Sequence, residues 1–136
     1  MGSTTLSIDE KMTVKRVRAF FTDDLPKLQL LAHVRLSSVN LEAMPAHHSN
    51  ENTAVDKMTR QVQARMYLDD MVDALSVLPS IEQRVITLKY INGLQWFAIS
   101  ERLHLSVRRL HEIMQKALND FGIAYAETLN LLDEGE

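Results

Sequence analysis

The chain has 136 residues, 46% of them hydrophobic and 24% charged, which is enough to bury a core without a disulfide or metal staple and too apolar for wholesale disorder. Cysteine is absent, which excludes disulfide scaffolds, thiol catalysis and cysteine-based zinc sites and fits a reducing cytoplasm. A formal charge of −3 gives no bulk attraction to nucleic acid, so such a partner would have to meet a local basic face.

No apolar run approaches the roughly 18 residues of a membrane span, and the N-terminus shows no basic-then-apolar leader. With only 3 prolines and 4 glycines and long helical periodicity, the chain reads as all-α. Residues 1–12 read as a flexible lead-in. From Thr13, the positions Val14, Val17, Phe20 and Phe21 make the stripe of a short amphipathic helix, with Lys15, Arg16 and Arg18 on its other side. Asp23 and Asp24 then precede Leu25-Pro26, a cap followed by a first-turn proline. A second helix is expected from Leu25 to about Val34, facing inward through Leu25, Leu28, Leu31 and Ala32.

Residues 36–52, with Met44-Pro45 and His47-His48-Ser49-Asn50, have no clear period and read as a long loop. From Thr53 to Leu78 nothing breaks a helix. Val55, Met58, Val62, Met66, Met71 (or Val72), Leu75 and Leu78 keep near-helical spacing, and the rod would span about 39 Å. A helix of this length suits a connector between lobes or a self-association face. Arg65 and Asp69 fall near seam positions and argue against a regular coiled coil. Residues 13–78 thus form an N-terminal helical region, and Pro79 opens a C-terminal one, 79–126. The latter begins with a helix at about Ile81–Ile91, striped by Ile81, Val85, Leu88 and Ile91 and ended by Gly93.

A short helix over Gln95–Leu103, a connection at Leu105-Ser106 and a third helix over Val107–Phe121 make a helix-turn-helix pattern, with Ser106 as the N-cap of the last helix. On a helical wheel with 100° per residue, Leu110, Ile113, Met114, Ala117, Leu118 and Val107 fill one arc. Arg108, Arg109, His111, Glu112, Gln115, Lys116 and Asn119 fill the other. The polar arc carries side chains able to read base edges, with Arg109 and Lys116 at its border suited to phosphates. A plain solvated face is the competing reading. Residues 80–121 carry 6 basic and 4 acidic groups, whereas 122–136 carry no basic and 4 acidic groups, and 127–136 read as an acidic tail.

Leu78-Pro79, Glu82, Val85, Leu88, Tyr90, Gly93-Leu94, Ile99, Leu103, Leu105-Ser106-Val107, Leu110, Met114 and Ala117-Leu118 resemble the C-terminal DNA-binding region of bacterial sigma factors (region 4), without a gap over residues 78–118. With the N-terminal helical pair, the Met44-Pro45 loop, the long helix and the closing Lys116-Ala117-Leu118-Asn119-Asp120-Phe121, the layout over roughly residues 12–126 is similar to the ArpU family of phage-encoded transcriptional regulators. The resemblance implies control of late phage genes, such as those for packaging and lysis, by a helix that starts at Ser106 and turns Arg108, Arg109, His111, Glu112 and Gln115 toward the groove.

Four positions depart from the sigma-like pattern. Gln95 stands where Ser or Thr caps the middle helix. Ser100 stands for a small Ala. His104 stands for the turn glycine, which asks a histidine for a left-handed backbone. Ile113 stands where a cation is common.

The expected function is therefore sequence-specific binding of double-stranded DNA by a cytoplasmic, non-enzymatic regulator. Arg108, His111, Glu112 and Gln115 would meet bases, and Arg84, Lys89, Arg102, Ser106, Arg109 and Lys116 would meet the phosphate backbone. Its five cations imply a slope of about −4.5 for log K against log[salt]. RNA polymerase and a second copy, joined through the N-terminal and long helices, are the expected protein partners. Trp96 or Phe97 is a candidate contact, since adjacent helical residues cannot both face the core. A module that docks on polymerase or a packaging component without touching DNA, or a small-terminase-like DNA recogniser, is the alternative. No catalytic, cofactor or metal site is expected: His47-His48 lacks a third ligand, Asp69 and Asp73 share a helix face without a partner motif, and no phosphate-cradling or nucleophile motif is present.

Overall fold

The computed structural model describes residues 8–36 and 55–134, and these form an all-α fold. In chain order the helices are α1 (Ile8–Ala19), α2 (Leu25–Ala32), α3 (Val55–Ser76), α4 (Ser80–Ile86), α5 (Trp96–Leu103), α6 (Val107–Ala124) and α7 (Ala126–Glu134). The expected lead-in is shorter than 1–12, because Ile8–Met12 already belong to α1; Asp9 and Glu10 sit in its first turn, where the helix dipole favours carboxylates. Residues 37–54, with Met44-Pro45 and His47-His48, lie outside the described residues. Leu36, placed at the start of that loop by its sequence, is instead a core residue, 2% exposed, and its backbone N–H donates to Gln29 Oε1 at 2.9 Å.

Wide i→i+5 turns extend α1 through Phe20–Asp24 and α4 through Thr87–Ile91. The Leu25 N–H bonds Phe20 O, and the Asn92 N–H bonds Thr87 O. Such a turn holds more residues than an α-turn and brings successive side chains closer in angle. Both Phe20 and Phe21 are buried as a result. The two wide turns meet where Phe21 stacks on Tyr90, rings 5.0 Å apart and 11° from parallel.

The same cluster takes in Phe121 and Tyr125. Phe121 lies 5.0 Å from Phe21 and 4.9 Å from Tyr125, and Tyr125 meets Phe20 edge-on at 5.1 Å. Residues far apart in sequence thus close one core around the second half of α6. Helix α6 packs on α1, α3, α4, α5 and α7, and α2 packs on α3. Gly122 permits the closest approach: a Cβ there would collide with Thr13 Cγ2 and crowd Val17 on α1.

Helix α3 is 22 residues long, about 33 Å, and ends at Ser76 rather than Leu78. Its buried stripe runs through Ala64, Leu68, Met71, Ala74 and Leu75 and faces α2. Met66, expected in that stripe, is 56% exposed because Leu68 takes the inward position. Leu31 of α2 is likewise exposed while Leu25, Leu28 and Ala32 are buried.

The expected acidic tail is helical as far as Glu134. Among its acidic residues, Leu129 and Leu132 continue the helical stripe of Tyr125 at i+4 and i+7 and pack on the core. The Tyr125 hydroxyl donates to Tyr67 O at 2.7 Å, and burial, with Asp70 next, pushes its phenol far above the usual range, so it stays a donor. Arg16 binds Asp133 at 2.8 Å and Asp24 at 2.9 Å, tying α1 to α7. No described helix is long and apolar enough to cross a membrane.

Candidate nucleic-acid interface

The turn between α5 and α6 sets how the last helix leaves the body. Helix α5 starts at Trp96, and Gln95 before it makes no side-chain cap bond. The helix is held by Ile99, fully buried, and ends at His104 with φ 59° and ψ 42°, the left-handed backbone expected where glycine is usual. The His104 N–H donates to Ser100 O at 2.8 Å. Ser100 also closes the far side of the turn: its hydroxyl donates to Leu105 O at 2.6 Å. That role is beyond what an alanine could supply at this position, and the residue type alone did not reveal it.

Ser106 then caps α6 as expected, its Oγ accepting from Arg109 N at 3.0 Å. The apolar arc is buried at Leu110, Ile113, Met114, Ala117 and Leu118, continuing to Phe121 and Gly122. Val107 is the exception at 37% exposed, since it lies in the first turn. The helix runs through Ala124, beyond the expected Phe121.

The polar arc divides into three groups. At its N-terminal end, Arg108 leaves 92% of its side chain to solvent, and Arg109 leaves 58%. Both turn toward Glu112, Arg109 at 3.2 Å and Arg108 at 3.9 Å. Surface pairs of this kind are worth little in water and exchange readily.

Along one edge, His111 meets the Trp96 ring edge-on at 4.5 Å, and Lys89 Nζ lies 5.0 Å from the centre of the same ring. Trp96 is thereby occupied, whereas Phe97 is 70% exposed. His111, Gln115, Trp96 and Lys89 border an open cleft of about 220 Å³ that Arg18 of α1 completes.

Along the other edge, Lys116 donates to Asp120 Oδ2 at 2.7 Å and to Glu82 Oε2 at 3.1 Å. Glu82 is 4% exposed and its Oε1 finds no partner. Burial pushes its carboxyl above the usual range, Asp120 adds to the rise, and Lys116 opposes it. Asp120, then Glu82, hold the Lys116 ammonium above its own usual range. The lysine expected on a phosphate is thus engaged by two carboxylates of its own chain. Glu82 carries this consequence unannounced in the sequence, since it sits beside the apolar stripe of α4 like any surface glutamate.

Family models, curated proteins and solved structures give no match to this chain.

Arg84 and Arg102 are exposed and stand outside all three groups. Among the described residues no three His, Asp or Glu side chains are placed to hold a metal ion. The site has cations, an amide, an imidazole and a carboxylate on a protruding helix face, which is chemistry for recognising a polyanion with patterned donors and acceptors.

Proposed function

We propose that the protein is a sequence-specific DNA-binding transcriptional regulator that reads the major groove with α6, of the phage late-gene type to which its layout is similar. The observation that carries this reading is the exposed start of α6, where the Arg108 side chain is 92% exposed on a helix whose opposite face is anchored in the core. A helix of about 10–12 Å diameter fits a groove about 12 Å wide.

Arg108 suits guanine, Gln115 adenine and Glu112 the cytosine amino group, with His111 beside them. Glu112 holds both arginines in free protein and releases them when phosphates and bases compete. Arg84, Lys89, Arg102 and Arg109 supply phosphate contacts, and Ser106 retains its hydroxyl proton for one while its oxygen caps the helix. With Lys116 already neutralised, four cations give a salt slope of about −3.6. Phe97 on α5 is the apolar surface residue for polymerase or a second copy.

The test is selection of bound duplexes from a random pool, then titration of the selected site and a scrambled one. Arg108→Ala is expected to lose about 1–3 kcal/mol of preference for the selected site. Arg102→Ala is expected to weaken both sites alike and flatten the salt slope by about 0.9. Failure to retain any duplex at low salt overturns the reading.

A further inference from the structure

We propose that the cleft between the end of α1 and α6 seats a backbone phosphate of the bound duplex, with Arg18 and Lys89 as its two cations. The inference rests on the DNA reading above and adds α1 to the interface. Arg18 comes from the N-terminal helix, outside the helix-turn-helix, and reaches the cleft because α1 is docked on α6 through the Gly122 contact.

Three features favour a phosphate. The cleft is bordered by Arg18 and Lys89, with His111 and Gln115 as further polar side chains, and by no carboxylate. Among the described residues neither Arg18 nor Lys89 takes part in an ion pair, although Arg16, Arg108, Arg109 and Lys116 all do. Two cations facing one opening repel each other, and an anion between them reverses the sign of that interaction. At about 220 Å³ the cleft is smaller than the roughly 300–1,000 Å³ that small-molecule sites occupy, and its open mouth suits one group on a larger ligand.

Its place on α6 identifies that ligand. The cleft lies along the His111–Gln115 edge, next to the side chains assigned to bases. A helix that fills the major groove brings the flanking sugar-phosphate strands against its two edges. On the Lys116 edge the cation is offset by Glu82 and Asp120, so the cleft edge carries the stronger pull on a strand.

The experiment uses the full chain and the selected duplex, with thermal melting to confirm that each variant stays folded. Counting Arg18 as a fifth cation makes the wild-type slope about −4.5, and Arg18→Ala is expected to weaken selected and scrambled duplexes alike and to return the slope to about −3.6. Lys15→Ala, also on α1 but outside the cleft, is expected to leave the slope unchanged. Replacing single phosphates by neutral methylphosphonates is expected to find one position that weakens wild-type binding and has no further effect on Arg18→Ala. If Arg18→Ala keeps the wild-type slope while Arg108→Ala loses its preference, the cleft assignment is wrong and the DNA reading stands. Equal losses for Lys15→Ala and Arg18→Ala also overturn it, because they report overall charge. A wild-type chain that retains no duplex overturns both.

Discussion

Arg108 and Lys116 lie two turns apart on one helix and both carry a positive charge. Arg108 leaves 92% of its side chain in solvent, whereas Lys116 is bound by Glu82 at 3.1 Å and Asp120 at 2.7 Å. The backbone around them diverges in the same way. In the first two turns of α6 only the apolar side, Leu110, Ile113 and Met114, is buried, and Arg108 and Arg109 turn to Glu112 on the outer side; the last turns lie among Phe20, Phe21 and Tyr125. A single helix therefore carries a cation free in solvent at one end and an anchored one at the other. The wheel position of a cation does not tell which; a tertiary partner from α4 decides it.

The two ends of α6 can be changed separately. Phe121 is fully buried against three aromatic rings, so Phe121→Ala removes packing that neighbours cannot refill. Its expected cost is about 3–5 kcal/mol, read as a lowered urea midpoint. Arg108→Ala is expected to shift stability by no more than about 0.5 kcal/mol. Comparable losses at both ends would mean that the polar face at the start of α6 is also packed.

The second difference is electrostatic. Lys116→Met leaves the buried Glu82 carboxylate without its cation, at an expected cost of about 1–3 kcal/mol near neutral pH. The pH dependence has a definite sign. Burial already raises the folded-state pKa of Glu82, and loss of Lys116 removes the influence that lowers it. Between the unfolded and folded values the folded chain then binds more protons than the unfolded one. Stability is complete below the unfolded value and falls as pH rises through the folded value. The urea midpoint of Lys116→Met should therefore drop more steeply than that of wild type as pH rises above the ordinary glutamate range. Adding Glu82→Gln should recover most of the loss and flatten the pH response. A cost that is unchanged at low pH would show that Lys116 acts through its aliphatic stem instead.

Much of this architecture was legible in the residues. Val14, Val17, Phe20 and Phe21 are buried as their spacing required, the apolar arc of α6 faces the core, and Ser106 caps the helix. These are local properties, fixed by helical period and by the few bonds a cap can make. What escaped depends on distant chain segments. Leu68 displaces Met66 because α2 selects which stripe of α3 is covered. Residues 127–134 looked like solvated charge until Arg16 supplied a partner for Asp133 and the core received Leu129. In the candidate site, Arg108 and Gln115 were placed by the wheel alone. The pairing of Lys116 with Glu82 and the arrival of Arg18 beside His111 required the α4 and α1 contacts that no single-helix pattern contains.

A modest stabilisation is expected at the turn that separates α6 from α5. His104 has φ 59°, where an L side chain crowds the following carbonyl oxygen and glycine does not. His33, at the end of α2, has the same φ of 59° and serves as a second case away from α6. His104→Gly relieves the steric term, worth about 1–2 kcal/mol, but gives the unfolded chain more freedom, which takes back part of it. A net gain of about 0.5–1 kcal/mol is expected, visible as a small rise in melting temperature, and His33→Gly should behave alike. DNA preference should be unchanged by either, because Ser100 and Ser106 continue to hold the turn through Leu105 O and Arg109 N. If His104→Gly is stabilised as expected yet binds DNA less tightly, while His33→Gly binds normally, the imidazole itself belongs to the interface, which then begins before Ser106.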